Sequence, residues 1–127
     1  MSSSVTDNIS VEAKTAFMPD HPATRDNQFA FSYEITIVNN SDTNITLLNR
    51  YWLITDADGK KMEVQGAGVI GEQPVIKIGS SYSYTSGAVL DTPVGAMEGH
   101  YEMQLENGKK IRVPIPPFGL AIPNAIN

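Results

Sequence analysis

An all-β fold, a sandwich or a barrel of antiparallel strands, is the fold class that this sequence predicts. Strand patterns recur about every 8 to 12 residues with turn residues between them, which is typical of these architectures. No segment has a helical period of useful length. The chain has 127 residues, the size of one domain, so we expect a single domain over 1–127. We expect an ordered core at about 5–120, with short tails at both ends.

The first two strands are predicted from apolar residues that recur with a period of two. In 11–17 these residues alternate with polar ones, and Pro19 ends the pattern. In 29–37 aromatic and β-branched residues occupy every second position, as expected of a half-buried strand. A turn follows at 39–42.

Two hairpin loops are fixed by the requirement that apolar residues share one face. Trp52 and Ile54 align with Val64 and Met62 only if the loop is the three residues 57–59. The same argument predicts a three-residue loop at 106–108. In each loop the final glycine would supply the left-handed residue of a bulged turn. We therefore predict two bulged hairpins rather than two-residue turns.

The C-terminal part of the chain predicts an edge strand. In the second hairpin, Glu102 is expected opposite Arg112 on the outer face. Pro114 and Pro116 are two residues apart, so their missing N–H groups should lie on one edge of the final strand. That edge is thereby protected against pairing with another sheet. The residues after Gly119 are expected to form a short tail.

Composition excludes several classes of partner. The net charge of −5 disfavours nucleic acid and anionic membranes, which require a basic face. The absence of cysteine excludes thiolate catalysis and cysteine-ligated metals, and it favours a reducing compartment. Neither a signal peptide nor an apolar run long enough to span a bilayer is present in the sequence. We therefore expect a cytoplasmic protein without a transmembrane segment.

A glycine-rich segment carries the strongest motif. Gly66, Gly68 and Gly71 form G-x-G-x-x-G, followed by Glu72. A dinucleotide site of the Rossmann kind would need a helix after these glycines, whereas 75–78 has the pattern of another strand. The favoured interpretation is a conformationally demanding loop in which glycines allow positive φ or close packing. The alternative is a loop whose backbone binds a phosphate-bearing ligand.

Outside the glycine segment, one alternating set of residues is a candidate for metal binding. Glu98, His100 and Glu102 alternate on one side of a strand, where they are candidate ligands for a divalent cation or, more simply, a solvated outer face. No Gly-Lys-Ser/Thr phosphate loop, Gly-x-Ser-x-Gly motif or paired metal-binding histidine occurs. We therefore expect a protein that is not an enzyme and that has no resident cofactor, with divalent-cation binding left open.

One strand is apolar on both faces. Trp52 is predicted to face the core, while Tyr51 and Leu53 lie on the opposite side of the same strand. An antiparallel strand with two apolar faces is either buried on both sides or used for contact. Tyr51 and Leu53 are therefore the candidate interaction surface for a protein partner or for a homodimer.

Several sequence elements follow one another along the chain in one frame: Phe29-Ala-Phe31-x-Tyr33-x-Ile35-x-Ile37-x-Asn39, Leu48-x-Arg50-x-Trp52-x-Ile54-x-Asp56, Val64-x-Gly66-x-Gly68-Val69-x-Gly71-Glu72-Gln73-Pro74, Tyr84-Thr-Ser86-Gly87, Leu90-x-Thr92, Gly95-x-Met97-x-Gly99-x-Tyr101 and Ile115-Pro116-x-Phe118-x-Leu120. Together, from about Val11 to Leu120, these elements resemble the ApaG family. Two positions depart from the family pattern: Ile78-Gly79, where Pro-Gly is frequent, and Phe17, where tyrosine is frequent.

The resemblance implies an antiparallel β-sandwich of the fibronectin type III or immunoglobulin kind. It also implies a role in cobalt resistance and magnesium efflux, to which bacterial members are linked. Related domains in F-box proteins look like interaction modules. The family supplies no catalytic residues to transfer. A suspected phosphate-binding role of its glycine loop would fall on Gly66, Gly68 and Gly71 here.

Overall fold

The computed structural model describes residues 5–123, and these form strands with two short helical turns. A 3-10 turn at Val5–Asn8 precedes β1, and a four-residue helix α1 lies at Pro22–Arg25. The strands are β1 (Ile9–Phe17), β2 (Phe29–Asn39), β3 (Ile45–Asp56), β4 (Lys61–Ala67), β5 (Val75–Ile76), β6 (Ser81–Leu90), β7 (Val94–Leu105) and β8 (Lys110–Ala121).

Two antiparallel sheets pack face to face. The three-stranded sheet has the order β1-β2-β6. The five-stranded sheet has the order β4-β3-β7-β8, and the short β5 pairs with the N-terminal end of β3. All pairings are antiparallel. The predicted all-β sandwich is therefore confirmed, and the barrel alternative is not the observed form.

The core lies between the inward faces of the two sheets. Trp52 is 1% exposed, as predicted, and packs edge-on against Tyr33 and Phe118. The remaining large, fully buried side chains come from strands of both sheets and from the loop before β5: Phe31, Ile35, Ile37, Ile45, Leu47, Val69, Ile76, Met97, Tyr101, Met103 and Leu120. Burying such side chains is the main favourable term in folding.

Both bulged hairpins are confirmed. In the first, Trp52 pairs with Val64 and Ile54 with Met62, and Gly59 has φ +82°. The Gly59 N–H donates to the Asp56 carbonyl at 3.1 Å, which closes the three-residue loop.

In the second hairpin, Glu102 pairs with Arg112, and the loop residue Gly108 has φ +89°. The hydrophobic alternation therefore determined the register of both hairpins correctly.

The structure differs from the sequence predictions at several element ends. Only Val75–Ile76 of the predicted strand 75–78 is a strand. The expected tail after Gly119 begins later, because β8 continues to Ala121. Pro114 lies in the regular ladder opposite His100, as predicted for an edge strand. Pro116 instead lies in an irregular stretch, where β8 has one more residue than β7, a common position for proline.

Candidate functional site

An open groove crosses the outward face of the five-stranded sheet, and its volume is about 810 Å³. All four long strands of that sheet contribute to it. The lining residues are Asn49, Arg50 and Tyr51 from β3, Gln65, Gly66 and Ala67 from β4, His100 and Glu102 from β7, and Lys110, Ile111 and Arg112 from β8. The opposite face of the same sheet packs on the core, so the groove faces solvent.

The groove has an aromatic platform made by two paired residues. Tyr51 and His100 are opposite each other on β3 and β7, and their rings stack with centroids 5.0 Å apart and an interplanar angle of 21°. The Tyr51 hydroxyl donates to Glu63 Oε2 at 2.6 Å, and this bond raises the pKa of the phenol. Partial burial and the nearby Arg112 lower the pKa of His100. The lowered pKa favours the neutral imidazole of His100, which suits stacking on the Tyr51 ring.

Lys110 and Arg112 on β8 line the groove beside the platform. Glu102, although opposite Arg112, accepts a hydrogen bond at 2.6 Å from the Asn49 amide instead. Within residues 5–123, neither Lys110 nor Arg112 has a carboxylate within salt-bridge distance, since the ion pair found there is Lys60–Asp91. These two positive charges therefore flank the platform without an ion-pair partner in that range, on a chain whose net charge is −5.

The glycine segment is a tight hairpin beside the groove. Val69 and Glu72 exchange backbone hydrogen bonds of 2.8 and 3.0 Å across the two-residue turn Ile70-Gly71. Both turn residues have positive φ, +48° and +77°, which makes this a type I′ turn. Gly68 also has positive φ, +60°, and a β-carbon there would lie 1.9 Å from the Glu72 carbonyl oxygen. The loop geometry thus requires glycine at 68 and favours it at 71.

The Arg50 side chain holds the start of the glycine loop. Its Nη1 donates to the carbonyls of Ala67 and Gly68, at 3.2 and 3.0 Å. A β-carbon at residue 66 would lie 2.9 Å from the same guanidinium nitrogen, so Gly66 gives Arg50 its space.

Two buried tyrosines on opposite sheets, Tyr84 and Tyr101, hydrogen-bond to each other through their hydroxyls. Burial raises the pKa of Tyr84 to about 12 and also raises that of Tyr101.

Comparison with known proteins identifies the family of this chain. The ApaG domain model matches residues 19–105. Protein ApaG of Shewanella piezotolerans is 48% identical over 119 residues, 94% of each chain. Protein ApaG of Proteus mirabilis is 49% identical over 119 residues, 94% of this chain and 95% of the relative.

The chain belongs to the ApaG family.

The ApaG assignment extends to the three-dimensional structure. An X-ray structure of a structural-genomics target superimposes with a TM-score of 0.90 and 44% identity, covering 98% of this chain and 94% of the other. The resemblance predicted from the sequence motifs is therefore confirmed, together with the sandwich fold.

The predicted site residues of this ApaG domain separate into two groups. Tyr51, Gly66, His100 and Glu102 line the groove. The other candidates lie outside its lining: Leu53, Gly68, Gly71, Glu72 and Glu98. In the described part of the chain, no group of three or more histidine or carboxylate side chains is placed to hold a metal ion. No helix within those residues is long and apolar enough to cross a membrane.

Several groove residues of the ApaG domain were not singled out from the sequence. Lys110 and Arg112 alternate with the inward-facing Ile111 and Val113, so their outward direction was readable from the strand period. Gln65 and Asn49 carry no comparable signal. Their place in the groove depends on the pairing of β3 with both β4 and β7.

Proposed function

We propose that this ApaG domain is a non-enzymatic binding module that contacts a protein partner through the groove on its five-stranded sheet. The observation that carries the proposal is the Tyr51–His100 platform, which faces solvent in a groove of about 810 Å³. Tyrosine is favoured at protein interfaces because it offers a large flat surface together with a hydroxyl group.

Charge suggests the chemistry of the partner. Lys110 and Arg112 are not ion-paired within residues 5–123, whereas Glu102 is already bonded to Asn49. An incoming carboxylate would find two donors at one end of the platform, and Arg112 can bind it with two parallel hydrogen bonds. The partner segment therefore carries an acidic side chain next to a group that stacks on Tyr51.

Photo-crosslinking tests this surface. A photoreactive phenylalanine replaces Tyr51 in the full chain, and a control chain carries it at Glu12 on the outer face of the other sheet. We expect an adduct from position 51 that Arg112→Glu removes and Arg112→Lys retains. Equal adducts from positions 51 and 12, or an adduct insensitive to Arg112→Glu, would contradict the proposal.

The cellular role that we propose is divalent-cation homeostasis in the cytoplasm, in line with the family resemblance. A strain lacking its own ApaG protein would be sensitive to Co²⁺, and this chain would restore growth. Tyr51→Ala should abolish the rescue, whereas Tyr51→Phe, which keeps the stacking ring, should retain most of it. Rescue by Tyr51→Ala at wild-type level would separate the groove from this role.

A small phosphate-bearing ligand is a second candidate for the same region. Gly66 and Ala67 line the groove together with Lys110 and Arg112, which supplies both backbone and cations for an anion. The hairpin limits this ligand, because the amides of Gly68, Val69 and Glu72 already donate to backbone carbonyls. Pyrophosphate or ATP, with and without Mg²⁺ or Co²⁺, should shift the amide NMR signals of 66–71, and unchanged signals at millimolar ligand would exclude it.

Direct cation binding is tested in the same titration. Co²⁺ alone would broaden the signals of Glu98, His100 and Glu102 if these side chains held the ion. His100→Ala should then remove the effect. Broadening that persists in His100→Ala would locate the ion elsewhere.

A further inference from the structure

The outer edge of β6 is unpaired and unprotected. Within residues 5–123, β6 pairs with β2 alone, so its other side presents free backbone groups. The strand covers ten residues, and Ser81–Leu90 contains neither a charged residue nor a proline. An edge strand of this length usually carries a charge, a proline or a bulge that prevents pairing with another chain.

The other three edge strands carry such protection. On β4, Lys61 and Glu63 occupy the outward positions. On β8, Pro114 removes an outward N–H group, and on β1 the charged Glu12 and Lys14 lie beside the edge. The contrast with β6 is therefore within one molecule, and it singles out β6 as the edge that tolerates an added strand.

The direction of the free groups follows from the ladder. The Asn39 N–H donates to the Ser80 carbonyl, so residue 80 and every second residue after it bond to β2. The residues between them then direct both N–H and C=O towards the open edge: Ser81, Ser83, Thr85, Gly87 and Val89. Ser81, Ser83 and Thr85 have small, exposed side chains and Gly87 has none, so another backbone can approach closely.

We propose that the β6 edge pairs antiparallel with β6 of a second copy of this chain, joining two three-stranded sheets into one of six strands. Antiparallel self-pairing is two-fold symmetric, so one edge serves both partners. Because the strand is uncharged, identical residues meet without repulsion.

Centred on Thr85, the pairing places Ser83 opposite Gly87 of the second copy and forms about ten main-chain hydrogen bonds, a typical number for a specific interface. This locates the homodimer at β6, away from Tyr51 and Leu53, and it does not depend on the groove.

Sedimentation of the full chain from about 10 μM to 1 mM tests the proposal. We expect a concentration-dependent dimer. Thr85→Pro removes one outward N–H and leaves the ladder to β2 intact, so it should weaken association at least about tenfold. Thr85→Val keeps the N–H and the branched side chain, and its association should stay within about threefold of wild type. A monomer at 1 mM, or a dimer unaffected by Thr85→Pro, would overturn the proposal.

Two further measurements keep the test decisive. If Thr85→Pro does not fold, Thr85→Lys keeps the backbone and places two like charges together on the symmetry axis, so it should also weaken the dimer. Hydrogen exchange should slow with concentration at the amides of 81, 83, 85, 87 and 89 but not at 82, 84, 86 and 88. A dimer whose protection maps instead to β3 and Tyr51 would refute β6 as the interface.

Discussion

Replacing Gly68 by alanine should destabilise the domain far more than replacing Gly71, although both glycines have positive φ. The values are +60° and +77°, so alanine at either position adopts a left-handed conformation. The space around them differs. A β-carbon at 68 would lie 1.9 Å from the Glu72 carbonyl oxygen, whereas one at 71 would have no atom within 4 Å.

The expected magnitudes follow from this difference. The left-handed conformation costs alanine about 1–2 kcal/mol, and Gly71→Ala should lose only that amount. In Gly68→Ala the hairpin must also open to make room for the β-carbon, which breaks the two Val69–Glu72 hydrogen bonds. Each broken bond costs about 1 kcal/mol. Opening would also expose part of Val69, which is fully buried. We therefore expect Gly68→Ala to cost about 3–5 kcal/mol in total.

Urea denaturation measures both variants, with the fluorescence of Trp52, the sole and fully buried tryptophan, as the signal. Gly59→Ala is a second control, because its loop has positive φ and open space like that of Gly71. We expect Gly59→Ala and Gly71→Ala to lose similar amounts of unfolding free energy and Gly68→Ala to lose clearly more. If Gly68→Ala and Gly71→Ala differ by less than about 0.5 kcal/mol, the steric reasoning is wrong.

Four further predictions concern the turn residue Ile70, the buried pair Tyr84 and Tyr101, and the contact between β3 and β7. Ile70 is 60% exposed and has φ +48°, a strained conformation for a β-branched residue. Ile70→Asn should therefore raise the free energy of unfolding by about 1 kcal/mol in urea denaturation. A lower free energy of unfolding would show that the Ile70 side chain packs against the protein. Tyr84→Phe leaves the buried Tyr101 hydroxyl without its partner and should lower the free energy of unfolding by about 1–3 kcal/mol. In a double-mutant cycle, the double variant with Tyr101→Phe should lose less than the sum of the two single changes. Burial raises the pKa of both tyrosines above 10.0, so the folded state holds these protons more tightly than the unfolded state does. The two groups should therefore leave the urea midpoint unchanged below pH 10 and lower it as the pH rises through 12. The decrease should be less steep in the double variant. Gly99→Ala would place a β-carbon 1.9 Å from the Tyr51 carbonyl oxygen and should separate β3 from β7, which loss of nuclear Overhauser contacts between the Tyr51 and His100 rings would report.

The sequence predicted the hairpin registers correctly because hydrophobic alternation leaves few alternatives. A shift of one residue would have moved every apolar side chain of a strand to the solvent face. Trp52 and Val64, or Glu102 and Arg112, therefore had to be opposite each other once each loop length was chosen.

The bulge at Leu48 could not be read from the same pattern. Between Leu47 and Asn49 the pairing with β7 shifts by one residue, so Leu47 and Trp52 both face the core despite their odd separation. The Leu48 carbonyl accepts from the Gly68 N–H at 2.7 Å and from the Gln73 amide at 2.9 Å. The bulge thus holds the glycine loop, through contacts between residues about 20 positions apart that no local pattern encodes.

The candidate site was predicted in part. Tyr51 was singled out because it lies on the outward face of a strand whose other face is the core, and the groove contains it. Leu53 satisfied the same argument, yet it lies between Glu63 and Glu98, outside the groove. Periodicity gives the face of a strand but not the curvature of the sheet, which determines where a face becomes concave.

Local sequence patterns were sufficient to predict the fold class, the family, both hairpin registers and the need for glycine in the segment 66–71. These depend on local periodicity and backbone conformation, which neighbouring residues control. Three features became visible only in the folded chain: Tyr51 stacks on His100, Arg50 reaches the glycine loop, and β6 is an edge strand without a charge or a proline. Each of these depends on which strands become neighbours, and that choice is made by the packing of two whole sheets rather than by any single segment.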